Sequence, residues 1–128
     1  MLPSEDKISG EWVESVTLRP VRDTRRENGH VNAAAVRFDL HIPQSRSLKA
    51  KRAAIRPIVD GLRHRFRVSV SEVDYHDQWQ RTAIAVAVVA NTDTQLREIL
   101  AGIERFVVAA PGIELLDVET AWLESERA

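Results

Sequence analysis

Three titratable residues within four positions, Asp74, His76 and Asp77, form the group of this sequence best suited to metal binding or acid–base chemistry. Carboxylates and imidazoles ligate metals, and an imidazole titrates near neutral pH. The segment has turn composition, however, and no second histidine stands nearby at a ligand spacing. We therefore expect no catalytic residue, no metal and no cofactor, and an enzyme centred on these three residues is the least favoured hypothesis.

The motifs of several enzyme classes are missing from the 128 residues. There is no cysteine, which excludes thiolate catalysis, disulfides and Cys-based zinc sites. The sequence contains no G-x-S-x-G, no phosphate-binding loop and no H-E-x-x-H. These absences favour a protein that is not an enzyme.

Cationic residues offer a different chemistry, because they are concentrated in one stretch. Between Arg46 and Arg67 there are eight Lys or Arg residues and one acid, Asp60. From Val68 to Ala128 there are four basic and eleven acidic residues, so the net charge of −1 hides a strong asymmetry. Such sorting concerns surfaces and partners rather than fold.

Within that stretch, Lys49, Arg52, Arg56 and Arg63 are separated by three, four and seven positions. On a helix this spacing places them on one stripe beside the apolar stripe. Cations so arranged can bind phosphates, with an affinity that depends on salt but not on base sequence. A solvated helix face is the alternative. The predicted RNA-binding residues are Arg46, Lys49, Lys51, Arg52, Arg56 and Arg63.

The elements that must position these residues begin after an irregular N-terminal segment. Residues 1–30 mix charges with Pro, Gly and Asn and hold one apolar cluster, "WVESVTL". We predict a flexible extension there with at most a short strand. One domain is expected at residues 31–124, and a tail at residues 125–128.

The domain shows alternating strand and helix periodicities. Apolar residues alternate from Val36 to Ile42, which predicts a strand that Pro43 ends. Ser45 or Ser47 can cap the following helix, whose apolar stripe runs to Phe66. Pro57 lies inside this helix and predicts a kink or a break.

The second half of the domain repeats the pattern. "VSVSEVDY" and "RTAIAVAVVA" predict two strands around the turn "HDQWQ". A capping box of Thr92 and Gln95 opens a second helix, and "IELLDVETAWL" predicts a final strand. The order β-α-β-β-α-β is typical of a ferredoxin-like α+β sandwich, with two helices on one face of a four-stranded antiparallel sheet.

The open face of that sheet predicts a contact. Residues 83–90 are apolar on both sides, whereas a central strand with one wet face should alternate. A homodimer partner or the N-terminal extension is expected to cover part of it. The third strand lacks the aromatic and glycine residues of RNA-recognition modules, so any RNA contact should be to phosphates. Trp79, Tyr75 and Trp122 are interpreted as packing residues.

Three segments resemble the YlxP-like family of small bacterial proteins, catalogued as domain of unknown function 503. They are "LHIPQSRSLKAKR" at 40–52, "RFRVSVSEVDYHDQWQR" at 65–81 and "ELLDVETAWL" at 114–123. The resemblance covers about residues 32–123. Family members usually carry an acid where this chain has Ala50, and Pro57 also departs from the commoner pattern. The motif positions carried over are Ser47, Leu48, Lys49, Lys51, Arg52, Asp74, Trp79, Gln80 and Arg81.

The resemblance implies a ferredoxin-like fold and no established enzymatic activity. It also implies a gene neighbourhood of translation initiation and ribosome maturation, beside ribosome-binding factor A. Our leading hypothesis is a cytoplasmic accessory factor that docks on ribosomal RNA or an assembling small subunit. The alternative is a homo-oligomeric interaction or ligand-sensing module that uses the open sheet face. No membrane association is expected, since no apolar run approaches about 18 residues and the N-terminus lacks a signal-peptide pattern.

Overall fold

The computed structural model describes residues 15–18 and 31–125, with side chains for residues 31–123. The elements are β1 (Ser15–Leu18), β2 (Asn32–His41), α1 (Leu48–Phe66), β3 (Ser69–Asp74), β4 (Arg81–Ala90), α2 (Asp93–Val108) and β5 (Glu114–Ser125). From β2 to β5 the order is the predicted β-α-β-β-α-β, and the four strands pair antiparallel. The predicted ferredoxin-like α+β fold is confirmed.

The strand order in the sheet is β1-β5-β2-β4-β3. The two central strands of the domain are β2 and β4, as the fold predicts. β1 pairs in parallel with the last residues of β5, with Ser15 opposite Trp122. This part of the N-terminal segment therefore extends the sheet at its edge and does not lie across its open face. The remaining residues of the predicted extension lie outside the described part of the chain.

The core lies between one sheet face and the two helices. Val36, Phe38 and Leu40 on β2 are buried, as their alternation predicts. Leu62 of α1 and Ile103 of α2 are fully buried against the sheet. Complete burial of such a side chain contributes about 1.5–3 kcal/mol.

Each helix begins at a hydroxyl side chain that accepts a backbone hydrogen bond. Ser47, rather than Ser45, caps α1 and accepts from the backbone N–H of Ala50 at 2.9 Å. Thr92 caps α2 and accepts from the N–H of Gln95 at 3.1 Å. The predicted helix starts are thus confirmed, and they fix which side chains of α1 face outward.

α1 continues through Pro57 as a single helix of 19 residues, so the predicted break is wrong. Proline leaves the carbonyl of Ala53 without its helical hydrogen bond. Both residues are exposed, so this carbonyl is open to water. Burial of the opposite side of α1 against the sheet holds the helix together across the proline.

The two helices meet through glycines that receive phenylalanine rings. A Cβ atom at Gly61 would overlap Cζ of Phe106, and one at Gly102 would lie 3.1 Å from Cε1 of Phe66. The two rings contact edge to face, with centroids 6.1 Å apart. Gly61 weakens α1 as an isolated helix, but it is what allows the close approach of α2.

The sheet face opposite the helices has a charged half and an apolar half. Ala33, Ala35, Ala87 and Val89 form the apolar half, and Val89 is 71% exposed. Ala83 at the other end of β4 is buried, between Asp39 and Asp74 in the register. At that end charged residues of the domain itself flank the buried Ala83, whereas the predicted cover was a homodimer partner or the N-terminal extension.

Among the described residues, no helix is long and apolar enough to cross a bilayer.

Candidate nucleic-acid interface

The outward side of α1 carries a row of cations that we call the cationic stripe: Lys49, Arg52, Arg56 and Arg63. All four are exposed. They lie within an arc of about 60°, since successive helical residues are about 100° apart. The row is about 21 Å long at the helical rise per residue. Arg46, in the loop before α1, is exposed as well. The prediction that the four stripe residues lie beside the apolar stripe and face solvent is confirmed.

The cationic stripe lies on the flank of α1 that adjoins β3. The guanidinium of Arg63 donates to the backbone carbonyl of Val70, on this edge strand, at 2.9 Å. Gly61, which contacts α2, lies about 160° away around the helix. The cations therefore border the free edge of the sheet, where an extended ligand can approach without meeting α2.

Within residues 31–123, the charges of the stripe have few protein partners. No acid of residues 31–123 lies within ion-pair distance of Arg46, Lys49, Arg52 or Arg56. Asp60 is the acid on this helix, and it too is exposed. Cations of this kind can neutralise the phosphates of a nucleic acid and so release the counterions condensed on it.

Lys51 differs from its neighbours, and its assignment to a solvent-facing binding surface is wrong. Its side chain is 1% exposed. Nζ donates to the backbone carbonyls of Tyr75 at 2.8 Å and Arg81 at 3.2 Å, and it lies 3.1 Å from Oε2 of Glu72. Lys51 thus ties the first turn of α1 to the β3–β4 hairpin. The reason is its position on the apolar stripe, four residues before Ile55.

Glu72 is the charge partner that makes the burial of Lys51 tolerable. Burial opposes ionisation of this carboxyl. The hydrogen bond from Thr82, at 2.6 Å, and the hydrogen bond and charge of Lys51 outweigh it, so the pKa of Glu72 lies below its ordinary value. Glu72 is therefore ionised at neutral pH, and groups of the hairpin supply the other hydrogen bonds of this buried pair.

A β-bulge in β3 sends two nearby carboxylates to opposite sheet faces. Glu72 pairs with Ile84 but Asp74 pairs with Ala83, so Val73 is the extra residue. Without the bulge, residues two apart would share a face. Glu72 therefore stays under α1, whereas Asp74 joins the charged half of the open face.

On that face Asp74 enters a cross-strand network with Arg37, Asp39 and Arg81. Arg37 donates to Oδ2 of Asp74 at 3.1 Å and lies 3.6 Å from Asp39. The backbone N–H of Tyr75 donates to Oδ1 of Asp74 at 2.8 Å. This hydrogen bond and the Arg37 guanidinium hold the pKa of Asp74 below its ordinary value. The network contains two cations and two anions, so it stabilises the hairpin and offers little excess charge.

His76 and Asp77 do not join Asp74 in a site. His76 Nε2 lies 3.2 Å from the backbone carbonyl of Glu72, and Asp77 is exposed. Asp74 is occupied by Arg37 and by the backbone of Tyr75. In the described residues no three His, Asp or Glu side chains are grouped so that they could hold a metal ion. This geometry gives the enzyme hypothesis no support.

Gln80 joins the hairpin to the loop before α1. Its side-chain amide donates to the carbonyls of Pro43 at 3.2 Å and Ser45 at 3.1 Å. The backbone carbonyl of Gln80 accepts a hydrogen bond from the backbone N–H of Ile42 at 2.9 Å. Two of the three resembling segments, 40–52 and 65–81, are therefore in contact at one end of the sheet, which we call the motif end. Most of their motif positions have structural roles there.

The three aromatic residues have different environments. Trp122 is half-buried against the core beneath Arg97, and the ring of Tyr75 lies 4.4 Å from Cζ of Arg81. The packing interpretation is confirmed for both. Trp79 is 54% exposed, so its interpretation as a packing anchor is wrong. A residue next to a turn has no periodicity from which its burial could be predicted.

Sequence reasoning also missed Arg37, Asp39 and Glu72 as members of the motif end. Alternation does predict that Arg37 and Asp39 face away from the core. Their contact with Asp74 depends on the bulge, which no local signal in β3 indicates. Lys51 could have been found, because its spacing to Ile55, Ile58 and Leu62 is that of the buried stripe.

Comparisons with known proteins show the family of this chain. The family described as "Protein of unknown function (DUF503)" matches residues 33–120. The chain belongs to this family. It is also 37% identical over 76 residues to "Uncharacterized protein YlxP" of Bacillus subtilis (strain 168), covering 59% of this chain and 83% of that protein. The resemblance seen in three sequence segments is confirmed.

The region matched to DUF503 contains α1, the hairpin and most of β5. All the motif positions, from Ser47 to Arg81, lie within it. Ser47 caps the helix, Gln80 and Lys51 hold the hairpin, and Asp74 and Arg81 belong to the charged network. Lys49, Arg52 and Trp79 are the motif positions left facing solvent.

Proposed function

We propose that this DUF503 protein is a non-enzymatic cytoplasmic accessory factor that binds ribosomal RNA through the cationic stripe, in translation or small-subunit maturation. The observation that carries the proposal is the exposure of the stripe and of Arg46, with no ion-pair partner for any of these five residues among the described ones. The translation-related gene neighbourhood implied by the resemblance favours ribosomal RNA over other polyanions.

Phosphates are the expected ligand groups of the stripe. Five cations that neutralise about five phosphates give a binding constant that falls about 100- to 500-fold between 50 and 200 mM salt. Most of the acidic residues in the described domain lie elsewhere, on α2 and β5. Repulsion from these acids orients the protein so that α1, and not the opposite side, meets the RNA.

A pair of single charge reversals tests the proposal. R56E changes the middle of the stripe, and R105E makes the same change in net charge on α2, where Arg105 is also exposed. R56E is expected to weaken binding to a ribosomal RNA fragment about 10-fold at 50 mM salt and to reduce the salt slope, whereas R105E is not. Fluorescence anisotropy measures both. Equal affinity of R56E and wild type, or no binding of wild type at 50 mM salt, would exclude this function.

The apolar half of the open sheet face supports a second candidate, a homo-oligomeric interaction module. Val89 is 71% exposed and Val31 53% exposed, beside the small residues Ala33 and Ala87. A flat face of small apolar side chains allows two sheets to approach closely. Sedimentation velocity tests this second function. A protein that stays monomeric at all concentrations would exclude the homo-oligomeric module.

A further inference from the structure

Trp79 is a large aromatic residue that the fold leaves in solvent. It is 54% exposed, and it is the single aromatic among the large apolar side chains that residues 31–123 expose. Removing an indole ring from water is favourable, so its exposure leaves apolar area available for a ligand. Tyr75 on the same hairpin is not comparable, because Arg81 already lies over its ring.

The backbone that carries Trp79 is well fixed. The N–H of Gln78 donates to the carbonyl of Tyr75 at 3.0 Å, which closes the turn. On the other side of Trp79, Gln80 bonds to the loop before α1 through its side chain and its backbone. A ring held this way can receive a ligand with little loss of chain entropy.

The same contacts place Trp79 at the N-terminal end of the cationic stripe. Gln80, its neighbour, donates to the carbonyl of Ser45, and Ser45 is followed by the exposed Arg46. Lys51 ties the hairpin to the first turn of α1, where Lys49 is exposed. The hairpin that carries the exposed ring of Trp79 is therefore bound to the N-terminal end of α1, the end at which the cationic stripe begins.

We propose that Trp79 stacks on a nucleobase of single-stranded RNA whose phosphates lie along the cationic stripe. This inference rests on the proposed function and names the form of RNA that it takes. In a duplex the bases are already stacked on one another, whereas single strands and loops offer free base faces to aromatic side chains. Such stacking tolerates any base, which suits a site without hydrogen-bond readout. The expectation that RNA contacts are to phosphates alone is thereby revised.

Binding of matched oligonucleotides tests the stacking. The probes are a 12-nucleotide single-stranded RNA, the same strand with abasic sites throughout its length, and a 12-base-pair duplex, each with a fluorescent label. W79A is expected to weaken binding of the intact single strand about 10-fold, with no change for the duplex or the abasic strand. W79F should retain most of the affinity, because a phenyl ring still stacks. V108A is the matched control, since Val108 is an exposed apolar residue on α2.

The outcomes separate this inference from the proposed function. If R56E weakens binding of every RNA and W79A weakens none, the stacking is refuted while phosphate binding stands. If W79A weakens single strand, abasic strand and duplex alike, the ring does not act by stacking and the inference fails. If wild type binds none of the RNAs, both fail. A thermal unfolding midpoint of W79A equal to that of wild type would show that the substitution keeps the fold.

Discussion

At the scale of single residues, Lys49 and Lys51 show how two similar cations acquire opposite roles. They are two positions apart, so about 200° of helix separates them. One faces solvent and the other is enclosed by three hairpin carbonyls and Glu72. Their charge alone placed both among the predicted RNA-binding residues. Spacing to the apolar residues distinguishes them.

This difference predicts opposite effects of two matched substitutions. K51A is expected to lower the free energy of unfolding by about 3 kcal/mol, because it leaves Glu72 and the hairpin carbonyls without their donor. K49A should change stability by less than about 0.5 kcal/mol but weaken RNA binding. Urea unfolding and anisotropy at a temperature where both variants are folded measure these effects. A stable K51A that has lost RNA binding would restore Lys51 to the binding surface.

Glu72 predicts a dependence of stability on pH. Its pKa is lower in the folded protein than in the unfolded chain, so its contribution is complete above the unfolded value, about 4.3, and is lost as the pH falls through the folded value. The difference in unfolding free energy between wild type and E72Q should therefore be constant near pH 7 and shrink below about pH 4. Urea unfolding from pH 3 to pH 7 measures it.

E104Q is the control for that series, because Glu104 is exposed on α2. It should leave the free energy of unfolding at pH 7 within about 0.5 kcal/mol of wild type. A difference between wild type and E72Q that grew as the pH fell would contradict the ionised pair with Lys51.

At the scale of elements, periodicity carries most of the prediction. The alternation along β2 and the 3.6-residue stripes of both helices depend only on which side of each element is buried. A short stretch of sequence is therefore enough to predict them. The bulge at Val73, the pairing of Arg37 with Asp74 and the environment of Trp79 depend on contacts between distant segments. No local pattern predicts them. The fold was therefore predictable and much of the motif end was not.

Gly61 of α1 and Gly102 of α2 each contact a phenylalanine ring of the other helix. We therefore expect alanine at position 61 to destabilise the protein, although alanine is the better helix former. G61A gains about 1 kcal/mol of helix propensity but places its Cβ against the ring of Phe106. Overpacking of this kind costs about 1–3 kcal/mol, and we expect a net loss of about 1 kcal/mol. Urea unfolding of G61A, F106L and the double variant measures the coupling. Additive effects of the two substitutions would contradict direct packing of Phe106 on Gly61.

At the scale of the whole molecule, the two candidate surfaces lie on different sides and can be tested separately. The cationic stripe is on α1, whereas Val89 is on the sheet face away from the helices. V89R is expected to abolish any concentration-dependent self-association while leaving RNA affinity per protomer unchanged or slightly increased. Sedimentation velocity and anisotropy measure the two properties. Loss of RNA binding by a folded V89R would show that both functions share one face.

β3 is an edge of the sheet, and such an edge can template pairing with another chain and so start aggregation. Here the carbonyl of Val70 already accepts from Arg63, and the bulge at Val73 interrupts the regular ladder that an incoming strand would need. The strand is only six residues long, and like charges of the stripe in a second molecule repel approach along this side. The cations that we propose to bind RNA therefore also oppose pairing of a second molecule with the β3 edge of the sheet.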